Sequence, residues 1–275
     1  HITPHMFIRV ATILSLMLAT TTVPAAVPGI TGSMIIAGNG PELHTLEQLG
    51  RAFEKSHLGT VVEIRWDASS HPVDRVRAGE ADFAVTGQAD PTLVNIPIAW
   101  DGIAVVVYVA NPTRVVTMQQ VAAIFSGKVT RWAALGGQET TIKLIDRPPN
   151  QNIRHSFEET LGIVGQIPAS AQVIRSDQNA LSMVAGSLSA VAYASLHPAL
   201  EAVQYGVDVT LLTIDQVEAA EETVRDGRYK LRRPVLLVSK KESNAVAEAF
   251  AAFVLSKEGQ AIVGERFTPY SSTGR

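Results

Sequence analysis

The sequence predicts an α/β fold built on a parallel sheet, on three observations. Short apolar strands alternate with amphipathic helices, the loops that follow the strands are polar, and 46% of the 275 residues are apolar, enough for a sizeable core. Residues 34–37 (Met-Ile-Ile-Ala) form the first strand and stop at Gly38-Asn39-Gly40-Pro41. A helix then opens at Thr45, with Gln48 three residues on as a capping box, and buries Leu46, Leu49 and Phe53 on one face. Residues 61–66 alternate as a second strand ending at Asp67-Ala68-Ser69-Ser70, residues 73–78 are helical, and Gly79 suits the helix end. A third strand at 81–85 leads to Thr86-Gly87-Gln88, and the apolar run 103–109 has the composition of a strand buried on both faces.

A second set begins at Thr117, a capping box with Gln120, whose helix buries Val121, Ile124 and Phe125 and ends at Gly127. Residues 141–145 are a strand that runs into Asp146-Arg147-Pro148-Pro149-Asn150-Gln151-Asn152, a loop that two prolines hold out of helix before helical spacing resumes over 154–161. Further helical patterns cover 179–184, 215–224 and 244–255, and residues 234–239 are a late strand.

Composition excludes several function classes. With 23 Lys and Arg against 26 Asp and Glu, and no long basic tract, nucleic acid is not an expected partner. Cysteine is absent, which removes thiol nucleophiles, disulfides, thiolate metal sites and a lipid-anchored cysteine. Met6-Phe7-Ile8-Arg9, the apolar run that follows and Val23-Pro24-Ala25 have the pattern of a cleavable export signal. Residues 1–25 are therefore read as a short leader remnant ahead of Met6 plus a signal peptide, and the chain as a periplasmic protein that is not a lipoprotein.

In open α/β sheets the ligand crevice lies beyond the carboxyl ends of the strands, where helix starts offer amides to anions. Three loops qualify: 38–44, 67–73 and 147–156. Ser69 offers a hydroxyl there, and Arg147 a planar fork that suits a carboxylate or phosphoryl group. His44, His71 and His155 fall in the same loops and, with Asp67, are the candidates for a metal, but their spacing carries no metal motif and no metal or cofactor is expected. No His-Glu-x-x-His, Gly-x-Ser-x-Gly or Walker pattern occurs, so no catalytic residues are expected.

Ile98-Ala99-Trp100-Asp101-Gly102-Ile103-Ala104, Asn111-Pro112, Ile124-Phe125-Ser126-Gly127-Lys128-Val129-Thr130-Arg131-Trp132 and Gly136-Gly137 resemble the central segment of the phosphate-binding periplasmic proteins. Residues 226–234 (Asp-Gly-Arg-Tyr-Lys-Leu-Arg-Arg-Pro) and 253–260 resemble that family's closing strand and helix. The resemblance implies a two-lobed type II periplasmic binding fold with the ligand cleft between the lobes: 30–108 plus 200–275 as lobe 1 and 109–199 as lobe 2. It implies a monomer that closes by a hinge and delivers a small anionic ligand to an ABC transporter permease. The alternative is a repurposed cleft in a sensory or accessory partner, or one that takes an organic or metal ligand.

Carried over residue by residue, the family's loop serine matches Ser69 and its arginine matches Arg147. The first loop has Gly38-Asn39-Gly40-Pro41 where the family supplies a hydroxyl, Gly87 stands where it places a charged residue, and Arg147 is followed by two prolines and amides instead of Gly, Ser and Thr. The expected ligand contacts are Asn39, Gly40, Ser69, Ser70, Arg147, Gln151 and Asn152. Trp66 and Trp100 are expected to pack at the core or hinge, and Asp101 to brace the hinge.

Overall fold

The computed structural model describes residues 29–270, so the expected signal segment and cleavage site lie outside the described residues. Strands β1 (Gly32–Gly38), β2 (Thr60–Trp66) and β3 (Phe83–Thr86) alternate with helices α1 (Leu43–Ser56) and α2 (Pro72–Arg77), and a long strand β4 (Val94–Tyr108) follows. The chain continues through β5 (Val115–Val116), α3 (Met118–Phe125), β6 (Lys143–Asp146), α4 (Asn152–Leu161), β7 (Gln172–Val173), α5 (Asp177–Ala185), β8 (Ala190–Ser195) and α6 (Leu196–Gln204). It then forms β9 (Val209–Leu211), β10 (Thr213–Ile214), α7 (Glu221–Arg225), β11 (Arg232–Ser239), α8 (Ala245–Leu255), α9 (Lys257–Val263) and β12 (Thr268–Pro269).

The main sheet runs β2-β1-β3-β11-β4-β8-β6-β7. The parallel expectation holds for β2, β1 and β3 in one half and for β6, β7 and β8 in the other. Elsewhere it is corrected, because β4 pairs antiparallel with both β11 and β8. The first half of β4 belongs to one lobe and its second half to the other, which makes β4 a crossing strand. Residues 103–107 within it are fully buried, as the apolar run predicts.

Each lobe has its own core. Met34, Leu46, Leu49, Phe53, Phe83, Leu237 and Phe250 pack in the first. The second gathers Ile103–Val107, Phe125, Trp132, Phe157 and Tyr193, with the Phe157 and Tyr193 rings stacked at 3.9 Å. Each fully buried Leu or Phe is worth about 1.5–3 kcal/mol over its exposed state. This second core includes Tyr229 and Leu231. β9 lies against the second half of β4, and Tyr229 Oη donates to the Ile103 carbonyl at 2.8 Å.

Two helix expectations are also corrected. Thr117 and Gln120 form the expected reciprocal box at the start of α3, whereas α1 begins two residues before Thr45, on Glu42 as its N-cap. Pro41 ends the loop, the Glu42 carbonyl accepts from Leu46 N at 3.0 Å, and Thr45 is buried inside the helix. Residues 215–224 are helical only over α7, because Asp215 and Gln216 adopt positive φ in a turn. Asp215 Oδ1 accepts from Met118 N at 3.1 Å there, so that turn closes the start of α3.

Candidate functional site

The lobes enclose a cleft of about 1170 Å³, bordered by the starts of α1 and α5, the loop after β6, and α6. Trp66 shapes its first wall. The ring lies where a Cβ on Gly38 would stand, and its Nε1 donates to the Gly40 carbonyl at 2.9 Å, so glycine at 38 is required by close approach. On the opposite wall, Asp146 anchors the strand end that carries Arg147: its Oδ1 accepts from Arg147 N at 2.8 Å and from Tyr193 Oη at 2.6 Å. Burial, and then the Asp146 charge, push the Tyr193 hydroxyl far above the usual phenol range, so it stays a donor. Arg154 reaches Asp146 Oδ2 at 3.2 Å and donates to the Arg147 carbonyl at 3.1 Å, bracing the two-proline loop from behind.

A buried chain of charges runs from Arg147, Asp177 and Ser195, which border the cleft, to Asp101, Arg233 and Glu42 behind its lining. Arg147 Nη1 donates to Asp177 Oδ1 at 2.7 Å, and the same oxygen accepts from Ser195 N at 3.2 Å. Ser195 Oγ donates to Asp101 Oδ2 at 2.8 Å, and Asp101 in turn accepts from Arg233 Nε at 2.9 Å. Arg233 closes the chain through Nη2, which donates to Glu42 Oε1 at 2.7 Å. Burial raises the Asp101 carboxyl from 3.8 to about 6; the Asp177 and Glu42 charges add to the rise, while Arg233 and the Ser195 hydroxyl oppose it. Burial works against the Arg233 charge, but Glu42 and Asp101 outweigh it and hold the guanidinium firmly protonated.

Arg147 Nε and Asn39 Oδ1 at the cleft, and Arg233 Nη1 behind it, are buried without a protein partner. Native proteins rarely leave such atoms unpaired, since each costs about 1–3 kcal/mol when isolated from water. Arg233 Nη1 faces Gly87, where a Cβ would come within 3.3 Å of it, and Asn152 lies beside the same spot. An arginine thus takes the space that a side chain at 87 would need.

Of the residues expected from the sequence, Asn39, Gly40, Arg147 and Gln151 border the cleft together with His44. Asn39 is oriented by its Nδ2, which donates to the Ser70 carbonyl at 3.0 Å, and Gln151 Nε2 is taken by the Arg175 carbonyl at 2.9 Å. Ser69 and Ser70 stand apart from the cleft: Ser69 Oγ donates to Asp67 Oδ1 and Ser70 Oγ to the Asp67 carbonyl, both at 2.8 Å, in one turn. Asn152 points across to Thr86, which donates to its Oδ1 at 3.5 Å, and Asn150 Nδ2 reaches the Ala68 carbonyl on the facing lobe. His71 stands at the N-cap position of α2 without a side-chain capping bond, and His155 lies 3.1 Å from Glu159 on its own helix; among the described residues no group of three His, Asp or Glu could hold a metal ion. Glu42, Asp177, Ser195 and Arg233 escaped the sequence reading. Arg233 faces Asp101 in register across β11 and β4, at a chain separation of 132 that no local motif signals.

Trp100 lies at the crossing with Arg232 stacked on its ring at 3.6 Å. No helix among the described residues is long and apolar enough to cross a membrane.

The model of the PBP superfamily domain matches residues 23–258. The chain is 31% identical over 131 residues to the phosphate-binding protein PstS 2 of Streptococcus pneumoniae, covering 45% of this chain and 43% of that protein, and so spans less than half of its length. It is 28% identical to the phosphate-binding protein PstS of Pseudomonas aeruginosa over 276 residues, covering 86% of this chain and 82% of that one. Among solved structures, a Clostridium perfringens protein with bound phosphate superposes with a TM-score of 0.75 at 27% identity, covering 87% of this chain and all of that one. A Vibrio cholerae phosphate transport receptor shares the fold at a TM-score of 0.73 and 24% identity, over 85% of this chain and 98% of its own. The chain belongs to the PBP superfamily, and within it is similar to the PstS phosphate-binding proteins.

Proposed function

We propose that this protein is an exported solute-binding protein that captures phosphate or a related small oxyanion between its lobes and presents it to the permease of an ABC importer. One observation carries the reading: two buried arginines, Arg147 bordering the cleft and Arg233 behind its lining, each keep an unpartnered nitrogen donor. A ligand oxygen would satisfy both, and charge-assisted bonds to an oxyanion are about twice as strong as neutral ones. Asn39 Oδ1, an unpartnered acceptor, suits a ligand oxygen that carries a proton. The phosphate held by the C. perfringens relative and the names of the PstS relatives support the same ligand class. The role is capture and release without chemical change, by a monomer that closes on its β4 and β11 crossing.

A second reading, a sensory or accessory role with a repurposed cleft, is favoured by one feature. Three buried carboxylates, Glu42, Asp101 and Asp177, face the two arginines, so this buried chain has one carboxylate more than it has arginines.

The test is calorimetric titration of phosphate into protein stripped of bound solute by unfolding and refolding. Micromolar or tighter binding is expected. Arg147→Lys keeps a charge against Asp177 but loses Nε, and should weaken binding at least about tenfold. An absence of heat in the wild type would overturn phosphate as the ligand, and an unchanged affinity in the variant would remove Arg147 from the site.

A further inference from the structure

Glu42 sits at the N-cap of α1, where the first backbone N–H groups of a helix have no partner inside it and favour negative charge. Its side chain makes no capping bond there. It turns inward instead: the residue is 1% exposed, Oε1 takes Arg233 Nη2 at 2.7 Å, and Oε2 lies so close under the loop that a Cβ on Gly40 would come within 2.6 Å of it. Glycine at 40 is thus what lets the carboxylate tuck beneath the loop.

Arg233 does not need this second carboxylate to be neutralised. Asp101, opposite it in the β ladder, already accepts from Nε and lies 2.8 Å from Nη2. Glu42 is therefore the surplus charge in the buried cluster, held on Arg233 at the start of α1. The remaining Arg233 donor, Nη1, is fully buried and unpartnered between Gly87 and Asn152.

We propose that the Glu42 carboxylate is a resident competitor for the anion position on Arg233, which a ligand oxyanion must displace and which thereby sets the affinity of the cleft. The inference rests on the oxyanion reading above and deepens it by assigning the residue that tunes it. The physical basis is like-charge repulsion in a desolvated site: an oxyanion beside an ionised Glu42 meets a repulsion that water does not screen. Glutamine in its place keeps the shape and an oxygen acceptor for Nη2, removes the charge and leaves Arg233 balanced by Asp101.

The deciding experiment compares phosphate binding by stripped wild-type protein and Glu42→Gln in calorimetry, with thermal unfolding to establish that both are folded. The expected result is an affinity at least about tenfold higher in the variant. Equal or weaker binding by the variant, beside a wild type that binds, overturns this inference and leaves the phosphate reading intact. Binding by the variant alone supports the inference and removes phosphate as the ligand of the wild type; binding by neither overturns both. Should Glu42→Gln fail to fold, a structure of the wild type with phosphate bound decides instead. Displacement of the Glu42 carboxylate beyond about 4 Å from Arg233 supports the inference, and an intact 2.7 Å pair beside bound phosphate overturns it.

Discussion

The two arginines lie on one hydrogen-bonded chain, Arg147 at its cleft end and Arg233 between Asp101 and Glu42, yet their surroundings differ. Arg147 meets a single carboxylate, Asp177, which also keeps the Ser195 amide, while Arg233 meets both Glu42 and Asp101. Both are almost wholly buried, so the difference is one of charge balance and not of solvent access. Buried ions must be paired to be tolerated, and removing one partner exposes the full desolvation cost of the other. On this ground the Arg233 end is the more fragile to loss of its cation and the more responsive to loss of an anion.

The largest expected effect follows directly. Arg233→Met strands two buried carboxylates and should cost about 3–5 kcal/mol in denaturant unfolding, whereas Arg147→Met leaves Asp177 with an amide donor and should cost less. Equal losses would break the comparison. Next is pH. Asp101 has its folded carboxyl raised from 3.8 to about 6 by burial first, so folding favours the protonated form. That contribution is complete below about pH 4 and lost as pH rises through about 6, a decline of about 2–3 kcal/mol for a shift of this size. Thermal unfolding of wild type and Asp101→Asn between pH 4 and 7 would reveal it as a slope present only in the wild type; parallel curves would mean an ordinary carboxyl at Asp101. The smallest effect sharpens the contrast between the buried charges and the exposed loop at Ser69. Ser69→Ala removes an exposed hydroxyl already committed to Asp67, so stability should move by no more than about 0.5 kcal/mol and phosphate affinity by less than about twofold. A large loss of affinity would return Ser69 to the site.

The elements legible in the sequence are those set by neighbours a few residues away. Thr117 and Gln120 define a capping box from their own side chains, and the spacing of Leu46, Leu49 and Phe53 defines a buried helix face. The Arg147 loop was visible because two prolines hold it out of helix right after a strand. What was not legible depends on remote partners. The Glu42 N-cap of α1 was not legible, because its side chain makes no capping bond and is taken by Arg233, 191 residues away. The turn at Asp215 opens where a helix pattern ran because its carboxylate is needed at Met118 N.

By itself, the sequence determined the alternation of strand and helix, the apolar crossing run at 103–107 and the arginine loop, since periodicity, proline geometry and capping act within a few residues. Only the tertiary structure decided which buried charges meet beside the cleft. A buried ion pair is specified by the register of strands that meet across the whole chain, and that register placed Arg233 opposite Asp101.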